Sequence, residues 1–262
     1  MGEGLRHAEQ VMGTVVSFDV RDAGEGERRA EVEAALRRAV DSLHRADRVF
    51  STYRQDSQVS RLRRGELTPA ECDPEVAEVL ALGAAAEQAS GGAFSVYPDG
   101  ELDPSGVVKG WAVERASDIL RAAGSLRHSV NGGGDIQTAG EPEPGREWSV
   151  GIAHPLHPGA YATVVRGRGI AVATSGSAER GAHLLDPRTG RPASGGLASV
   201  TVLGRSLTDV DIAATTVYVL GSAAGRRWLE QREDFEGFAV LADGRAWWTP
   251  GFAEHAQLPD AG

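Results

Sequence analysis

The chain has 262 residues, of which 41% are hydrophobic, so it is long enough to bury a core and is not expected to be disordered. Its formal net charge of -10 argues against nucleic acid or an anionic membrane surface as a general partner, because both would repel an acidic protein. Cys72 is the single cysteine, which excludes an internal disulfide and a thiolate metal cluster.

The sequence has no apolar run long enough to span a membrane, and its first residues lack the apolar stretch of a signal peptide. We therefore expect no membrane segment and a cytoplasmic location for the chain as it stands. An exported form from which a signal has been removed is the open alternative.

The first half of the chain predicts a strand followed by three helices. "TVVSFDV" at Thr14–Val20 alternates apolar and polar residues, as a half-buried strand does. Apolar residues three and four apart predict a helix from about Glu27 to Ala46. A second helix is predicted from an N-cap at Asp73 to a stop at Gly91, and a third from near Ser105 to Gly124.

The second half is richer in strands. Short β-rich runs separated by Gly, Pro and Asn predict an antiparallel sheet. Helices are predicted at about 209–220 and 223–231, and the chain ends in a hairpin that turns at Asp243-Gly244. Without a linker or repeat, this order of elements predicts one α+β domain over residues 1–262.

Four polar clusters are candidates for chemistry, and the first surrounds Lys109. In "LDPSGVVKGWA", Gly106 and Gly110 flank this lysine near a predicted helix start. The unpaired amides of a helix N-terminus favour a phosphate, which the lysine ammonium would help to bind. A helix capped by Ser105 with a solvated lysine explains the same residues, so both interpretations stay open.

The second cluster is "NGGGDI" at 131–136. Successive glycines let the backbone approach a flat or phosphate-bearing ligand closely. A hairpin turn or a bulge is the competing structural interpretation.

The third cluster joins "ATSGSAERG" to "HLLDPRTG". Thr174, Ser175 and the backbone of Gly176 offer hydrogen-bonding groups, and His183 can accept a proton at neutral pH. A purely structural histidine beside two leucines is the alternative.

The fourth cluster is "SLTDVDIAATTVYVLG", in which Asp211 and Thr215 lie one helical turn apart on the same face. A carboxylate and a hydroxyl suit a hard cation such as Mg2+. The competing interpretation is a capping box from Thr208 to Asp211 that only stabilises the helix start.

In order and wording, these clusters resemble the FAD:protein FMN transferase family, the ApbE-like flavin transferases. The resemblance covers nearly the whole chain. The matching motifs are "MGTVVSF", "FSTYRQDSQVSRL", "LDPSGVVKGWAVERA", "VNGGGDI", "ATSGSAERGAHLLDPRTG" and "TDVDIAATTVYVLG". It implies a T-fold-like α+β protein that uses Mg2+ to transfer the FMN half of FAD to a Thr or Ser hydroxyl of an acceptor flavoprotein, releasing AMP.

The resemblance also implies residue roles. Asp211, Thr215 and the main-chain carbonyl of Val108 would bind the metal, at a position where the family usually has alanine for the valine. His183 would accept the proton of the attacking hydroxyl, with Asp186 holding the loop or the imidazole. The residues implied to contact the flavin nucleotide are Met12, Tyr53, Asp103, Lys109, Gly133, Thr174, Ser175 and Gly176.

The chain departs from the family pattern in two places. The helical insert that commonly follows "GGAF" is missing, which affects one wall of the flavin or acceptor site. Ala178 stands where the family usually has an aromatic residue, which affects stacking on the ligand.

The same pocket is compatible with two other functions. With water as the acceptor, the protein would be an FAD pyrophosphatase that yields FMN and AMP. A noncatalytic FAD carrier would hold the nucleotide without breaking a bond. The presence of His183, Asp211 and Thr215 favours a reaction over the carrier.

Overall fold

The computed structural model describes residues 4–176, 184–193 and 195–257, which form antiparallel strands and packed helices. The helices are α1 (Gly26–Phe50), α2 (Gln58–Arg63), α3 (Pro74–Ser90), α4 (Ser105–Ala122), α5 (Leu207–Leu220) and α6 (Ser222–Glu230). The strands are β1 (Leu5–Val11), β2 (Thr14–Val20), β3 (His128–Gly132), β4 (Asp135–Ala139), β5 (Trp148–Ala153), β6 (Tyr161–Gly167), β7 (Ala171–Gly176), β8 (Leu185–Asp186), β9 (Arg191–Pro192), β10 (Leu197–Gly204), β11 (Glu236–Leu241), β12 (Ala246–Trp248) and β13 (Ala256–Gln257).

The largest element is an eight-stranded sheet in the order β1-β2-β3-β4-β7-β10-β11-β12. Its ladders are antiparallel, and β1 and β12 form its two edges in the part of the chain that the structure describes, so the sheet is open rather than a closed barrel. A three-stranded sheet has the order β13-β6-β5, and β8 pairs with β9 in a short hairpin. The α+β fold predicted from the sequence is therefore confirmed.

The core lies on both faces of the large sheet because successive residues of a strand point to opposite sides. In β7, Ala171 and Ala173 belong to the cluster that packs with the helices, whereas Val172 belongs to the cluster shared with the three-stranded sheet. The molecule thus has a layer of helices, a central sheet and a smaller sheet.

Most predicted elements occur, with shifted ends. The strand Thr14–Val20 is confirmed as β2. Helix α1 continues beyond its predicted end to Phe50, and its last residues Val49 and Phe50 are buried in the core. Helix α3 ends before Gly91, which has a φ of 61° and so adopts the left-handed conformation that favours glycine. None of the described helices has the length and apolarity needed to span a membrane.

The start of α4 differs from the prediction in how it is capped. Ser105 is the first helical residue rather than the cap, and the Asp103 carboxylate Oδ1 accepts a hydrogen bond from the main-chain N–H of Ser105 at 3.0 Å. Asp103 therefore fixes the turn that leads into the helix carrying Lys109.

Candidate active site

The two central helices, α4 and α5, meet at Gly110. Its main-chain N–H donates to Asp211 Oδ2 at 3.0 Å. A Cβ atom at Gly110 would lie 2.8 Å from the carbonyl oxygen of Leu207 and 2.9 Å from the Cβ of Asp211, which is closer than real contacts allow. A glycine is therefore required for the close approach that places Asp211 against α4. We call this contact region, made by Lys109, Gly110, Glu114, Thr208 and Asp211, the α4–α5 seam.

The capping-box interpretation of Asp211 is wrong. The N-cap of α5 is Ser206, whose side chain accepts from the N–H of Asp209 at 3.2 Å. Glu114 of α4 accepts from the N–H of Thr208 at 2.9 Å and also from its hydroxyl. The first turn of α5 is thus capped by Ser206 and by the neighbouring helix, and Asp211 points to α4.

Lys109 lies between two buried carboxylates. Its ammonium forms an ion pair with Asp135 Oδ2 and lies 3.6 Å from Asp211 Oδ1. The side chains of Asp135 and Asp211 are only 1% and 2% exposed, while that of Lys109 is 21% exposed. Charge interactions are stronger at such buried positions than in water. The solvated-lysine interpretation is therefore wrong.

Asp135 is the residue that the sequence analysis missed. It follows the turn between β3 and β4, where Gly133 and Gly134 have φ values of 63° and 103°, so the predicted turn at the glycines is confirmed. In the part of the chain that the structure describes, the ladder between β4 and β7 pairs Ile136 with Val172 and Gln137 with Ala171. Asp135 Oδ1 instead accepts from the main-chain N–H of Thr174 at 3.0 Å. One signal was present in the sequence: a carboxylate at the start of an otherwise buried strand.

Hydroxyl groups from β7 and α5 lie beside these charges. The Oγ of Ser175 is 3.3 Å from Thr215 Oγ1, and Thr174 Oγ1 is 2.9 Å from Thr201 Oγ1. Asp211 contacts α4, Ser175 of β7 contacts Thr215 of α5, and Asp135 contacts Thr174 of β7, so α4, α5 and β7 meet in this region.

The donors implied for a metal are all oxygens. Asp211 supplies a carboxylate, Thr215 a hydroxyl and Val108 a main-chain carbonyl from the residue next to Lys109. Hard cations such as Mg2+ prefer this type of donor. Within the described ranges, no group of three or more His, Cys, Asp or Glu side chains is arranged to hold a metal. A cation at this place would thus depend on hydroxyl, main-chain and phosphate oxygens as well as on Asp211.

Met12 lies at the tip of the β1–β2 hairpin. Met12 and Gly13 have φ values of 53° and 73°, which is the two-residue hairpin turn that normally favours Asn-Gly or Gly-Gly. A methionine in this conformation is strained. The hairpin lies against the glycine turn, because a Cβ on Gly133 would come within 2.6 Å of Thr14 Oγ1. Met12 and Gly133 therefore belong to neighbouring turns.

Tyr53 lies at the surface, close to an open groove. Its side chain is 97% exposed. The nearby residues Thr52 and Gln55 line a groove of about 730 Å³, which Leu102 also lines. Half-exposed Tyr97 also lines this groove. We refer to Tyr53 and this groove as the Tyr53 wall.

Asp186 lies in the β8–β9 hairpin and holds its turn. Arg188 Nε and Nη2 donate to the two oxygens of Asp186 at 2.8 and 2.7 Å. Hydrogen bonding to Arg188 lowers the pKa of the Asp186 carboxyl. These contacts fit the loop-holding half of its predicted role, and its contribution to catalysis stays a prediction. His183 and Ala178 lie outside the described residues.

Comparison with known proteins identifies relatives of one kind. The ApbE family model matches residues 12–99 and 96–239 of this chain. An FAD:protein FMN transferase of Klebsiella pneumoniae (strain 342) is 35% identical over 159 residues, covering 56% of this chain and 48% of that protein. One of Salmonella typhimurium is 30% identical over 167 residues, covering 59% and 47%. The chain thus spans about half the length of the curated relatives it matches.

Solved structures agree over a longer stretch. The apo flavinyl transferase ApbE of Pseudomonas stutzeri is 25% identical, with a TM-score of 0.80 and coverage of 96% of both chains. The ApbE protein of Thermotoga maritima is 21% identical, with a TM-score of 0.81 and coverage of 96% of this chain and 99% of that one. These structures share the fold of this chain, and because the family model matches well over half of its residues, the chain belongs to the ApbE family.

Proposed function

We propose that this protein transfers the FMN half of FAD to a Thr or Ser hydroxyl of an acceptor protein and releases AMP. The observation that carries the proposal is the α4–α5 seam with Asp135, where Lys109 and two buried carboxylates meet beside the hydroxyls of Ser175 and Thr215. Cleaving a pyrophosphate requires charge neutralisation and in-line positioning more than covalent help from the enzyme. Here Lys109 supplies positive charge for the neutralisation, and the buried carboxylates and the hydroxyls supply contacts for the positioning.

The oxygen donors named above fit Mg2+ as the cofactor. Asp211, Thr215 and the carbonyl of Val108 would hold it, and the close contact at Gly110 would keep Asp211 in place. When bound, Mg2+ would neutralise charge on the bridging phosphates. Lys109 would contribute a second positive charge from the same edge of α4.

The other nucleotide contacts come from surrounding turns. Met12 and Gly133 lie in adjacent turns, Asp103 fixes the start of α4, and Tyr53 offers an exposed ring. An aromatic ring and a thioether are suited to packing on a flat ring system. We assign the flavin to this side of the site, with Gly176 and its neighbours on the phosphate side.

In the proposed reaction, the hydroxyl oxygen of the acceptor bonds to the phosphorus of the FMN half. The bond from that phosphorus to the bridging oxygen breaks, and AMP leaves with the bridging oxygen. His183 accepts the hydroxyl proton in this scheme, an assignment that rests on the resemblance described above.

The test is incubation of the protein with FAD and Mg2+, with and without a peptide that contains an Asp followed by Ser/Thr-Gly-Ala. AMP release and the mass of the peptide are followed together. Transfer predicts AMP and a peptide heavier by one FMN unit. Free FMN with AMP in both samples would instead identify a pyrophosphatase, and FAD binding without AMP release would identify a carrier.

A further inference from the structure

We infer that Asp135 is a positioning residue that acts through Lys109, holding the lysine ammonium at the place where the phosphates of the substrate bind. The inference rests on the proposed function, because it takes the ligand that Lys109 binds to be a dinucleotide. Asp135 itself need not touch that ligand.

Asp135 holds two elements at once. One carboxylate oxygen binds the main-chain N–H of Thr174, and the other is paired with the Lys109 ammonium. The carboxylate is almost fully buried, so its attraction to the ammonium is screened less by water than at the surface. Its position after the Gly133–Gly134 turn fixes the carboxylate relative to β7.

The Lys109 ammonium lies against both carboxylates, and an ammonium has three N–H donors that can serve more than one acceptor. The side chain of Lys109 remains 21% exposed, so it is reachable from outside the core. Asp135 therefore restricts where a long, flexible side chain presents its charge, which reduces the entropy lost when the phosphates bind.

The position of Asp135 at the end of the β4–β7 ladder supports a role beyond stabilising the sheet. A main-chain acceptor at this point would satisfy the Thr174 N–H without a charge. The carboxylate adds a negative charge that contacts Lys109, and Asp211 Oδ1 on α5 lies 3.6 Å from the same ammonium. The lysine thus contacts a carboxylate of β4 and one of α5, and the β4 carboxylate is itself bonded to β7, which carries Ser175.

A double-mutant cycle tests the inference with Asp135→Asn, Lys109→Met and the combined variant. The amide oxygen of Asn can still accept from Thr174, so the backbone contact is retained while the charge is lost. We expect Asp135→Asn to lower AMP release from FAD by about 100-fold, the scale of a small misplacement of a catalytic group. In the Lys109→Met background the same change should cost less than about 2-fold.

A merely structural role would give different results. It would lower the melting temperature and reduce turnover equally in both backgrounds, and such additive losses would overturn the inference. An increase in the Mg2+ concentration needed for half-maximal rate would also overturn it, because Asp135 would then act as a metal ligand. Asp22→Asn is the matched control: Asp22 accepts from Ser125 Oγ and from the N–H of Leu126, each at 2.7 Å. It should leave turnover unchanged.

A second measurement on the same variants is the FAD dissociation constant, determined by fluorescence quenching. If the wild type releases no AMP but the effects of the two substitutions on the FAD dissociation constant are not additive, the proposed function is contradicted and the inference is supported. If the wild type releases AMP but the losses are additive, the proposed function is supported and the inference is contradicted. Absence of both turnover and FAD binding would overturn both.

Discussion

The α4–α5 seam and the Tyr53 wall both carry residues assigned to FAD, yet they are built in opposite ways. In the seam, Asp211 is almost fully buried and is fixed by Lys109 and a main-chain N–H, as is Asp135 beside it. On the wall, Tyr53 is almost fully exposed beside an open groove. The difference indicates that the charged part of the site is preorganised by the fold, whereas the wall contributes through contacts made when the ligand arrives.

The largest expected effect is in the seam. Asp211→Asn keeps an oxygen that can accept from Gly110 but removes the carboxylate charge. We expect Mg2+-dependent turnover to fall about 1,000-fold, or ~4 kcal/mol of transition-state stabilisation, with the melting temperature within a few degrees of the wild type. The measurement is AMP release at saturating FAD.

Asp209→Asn is the control for that experiment, since Asp209 lies in the first turn of the same helix and is exposed. Its turnover should match that of the wild type. Activity that persists in Asp211→Asn would mean that the carboxylate only stabilises the fold. The seam would then not be the preorganised charged part of the site, and its contrast with the Tyr53 wall would be lost.

A buried polar group on β3, which packs against α4 through Ser117, tests whether burial alone gives the seam its properties. His128 is fully buried, with its ring nitrogens 2.8 and 3.1 Å from the hydroxyls of Ser117 and Ser125, and burial lowers its pKa to about 4. The folded protein therefore keeps the imidazole neutral while the unfolded chain, with a pKa of about 6.5, takes up a proton. This stability contribution is complete above about pH 6.5 and is lost as the pH falls toward 4, by roughly 3 kcal/mol.

Urea unfolding between about pH 7 and pH 4 measures this loss. The His128→Gln variant should show a shallower fall over that range, and His157→Gln, at an exposed position, should follow the wild type. Parallel curves for the wild type and His128→Gln would rule out this source of acid sensitivity. Turnover per folded molecule should be the same in His128→Gln as in the wild type. Burial of a polar group would then affect stability without affecting catalysis.

The smallest expected effect is on the wall. Tyr53→Ala should leave the free energy of unfolding unchanged within about 0.5 kcal/mol, because the ring is exposed. It should weaken FAD binding by about 1 kcal/mol, the scale of one aromatic stacking contact. Tyr161→Ala, a second exposed tyrosine, is the control. Equal FAD affinity for Tyr53→Ala and the wild type would place the flavin elsewhere.

The elements of the fold followed from local patterns. Alternation gave β2, helical periodicity gave α1, α3 and α4, and an Asp-Gly turn gave the last hairpin. The helix ends moved where buried residues such as Val49 and Phe50 extended the packing. These features depend on residues close together in the sequence.

The seam depends on distant residues, which limited what the sequence could predict. The motif order identified Lys109 and Asp211, but no local pattern indicates that Asp135 lies between the lysine and β7. The Thr208–Asp211 spacing fits a capping box, yet Glu114 from another helix takes the place of the local acceptor. Tertiary contacts therefore decided which of two plausible local roles each carboxylate has.

The methionine at the tip of the first hairpin has a practical consequence. Glycine or asparagine would suit the backbone there better, so a search for heat-resistant variants would favour replacing Met12. The same replacement would remove a polarisable side chain from the edge of the nucleotide site proposed above. Variants selected only for thermal resistance are therefore expected to become poorer at holding their substrate at this corner.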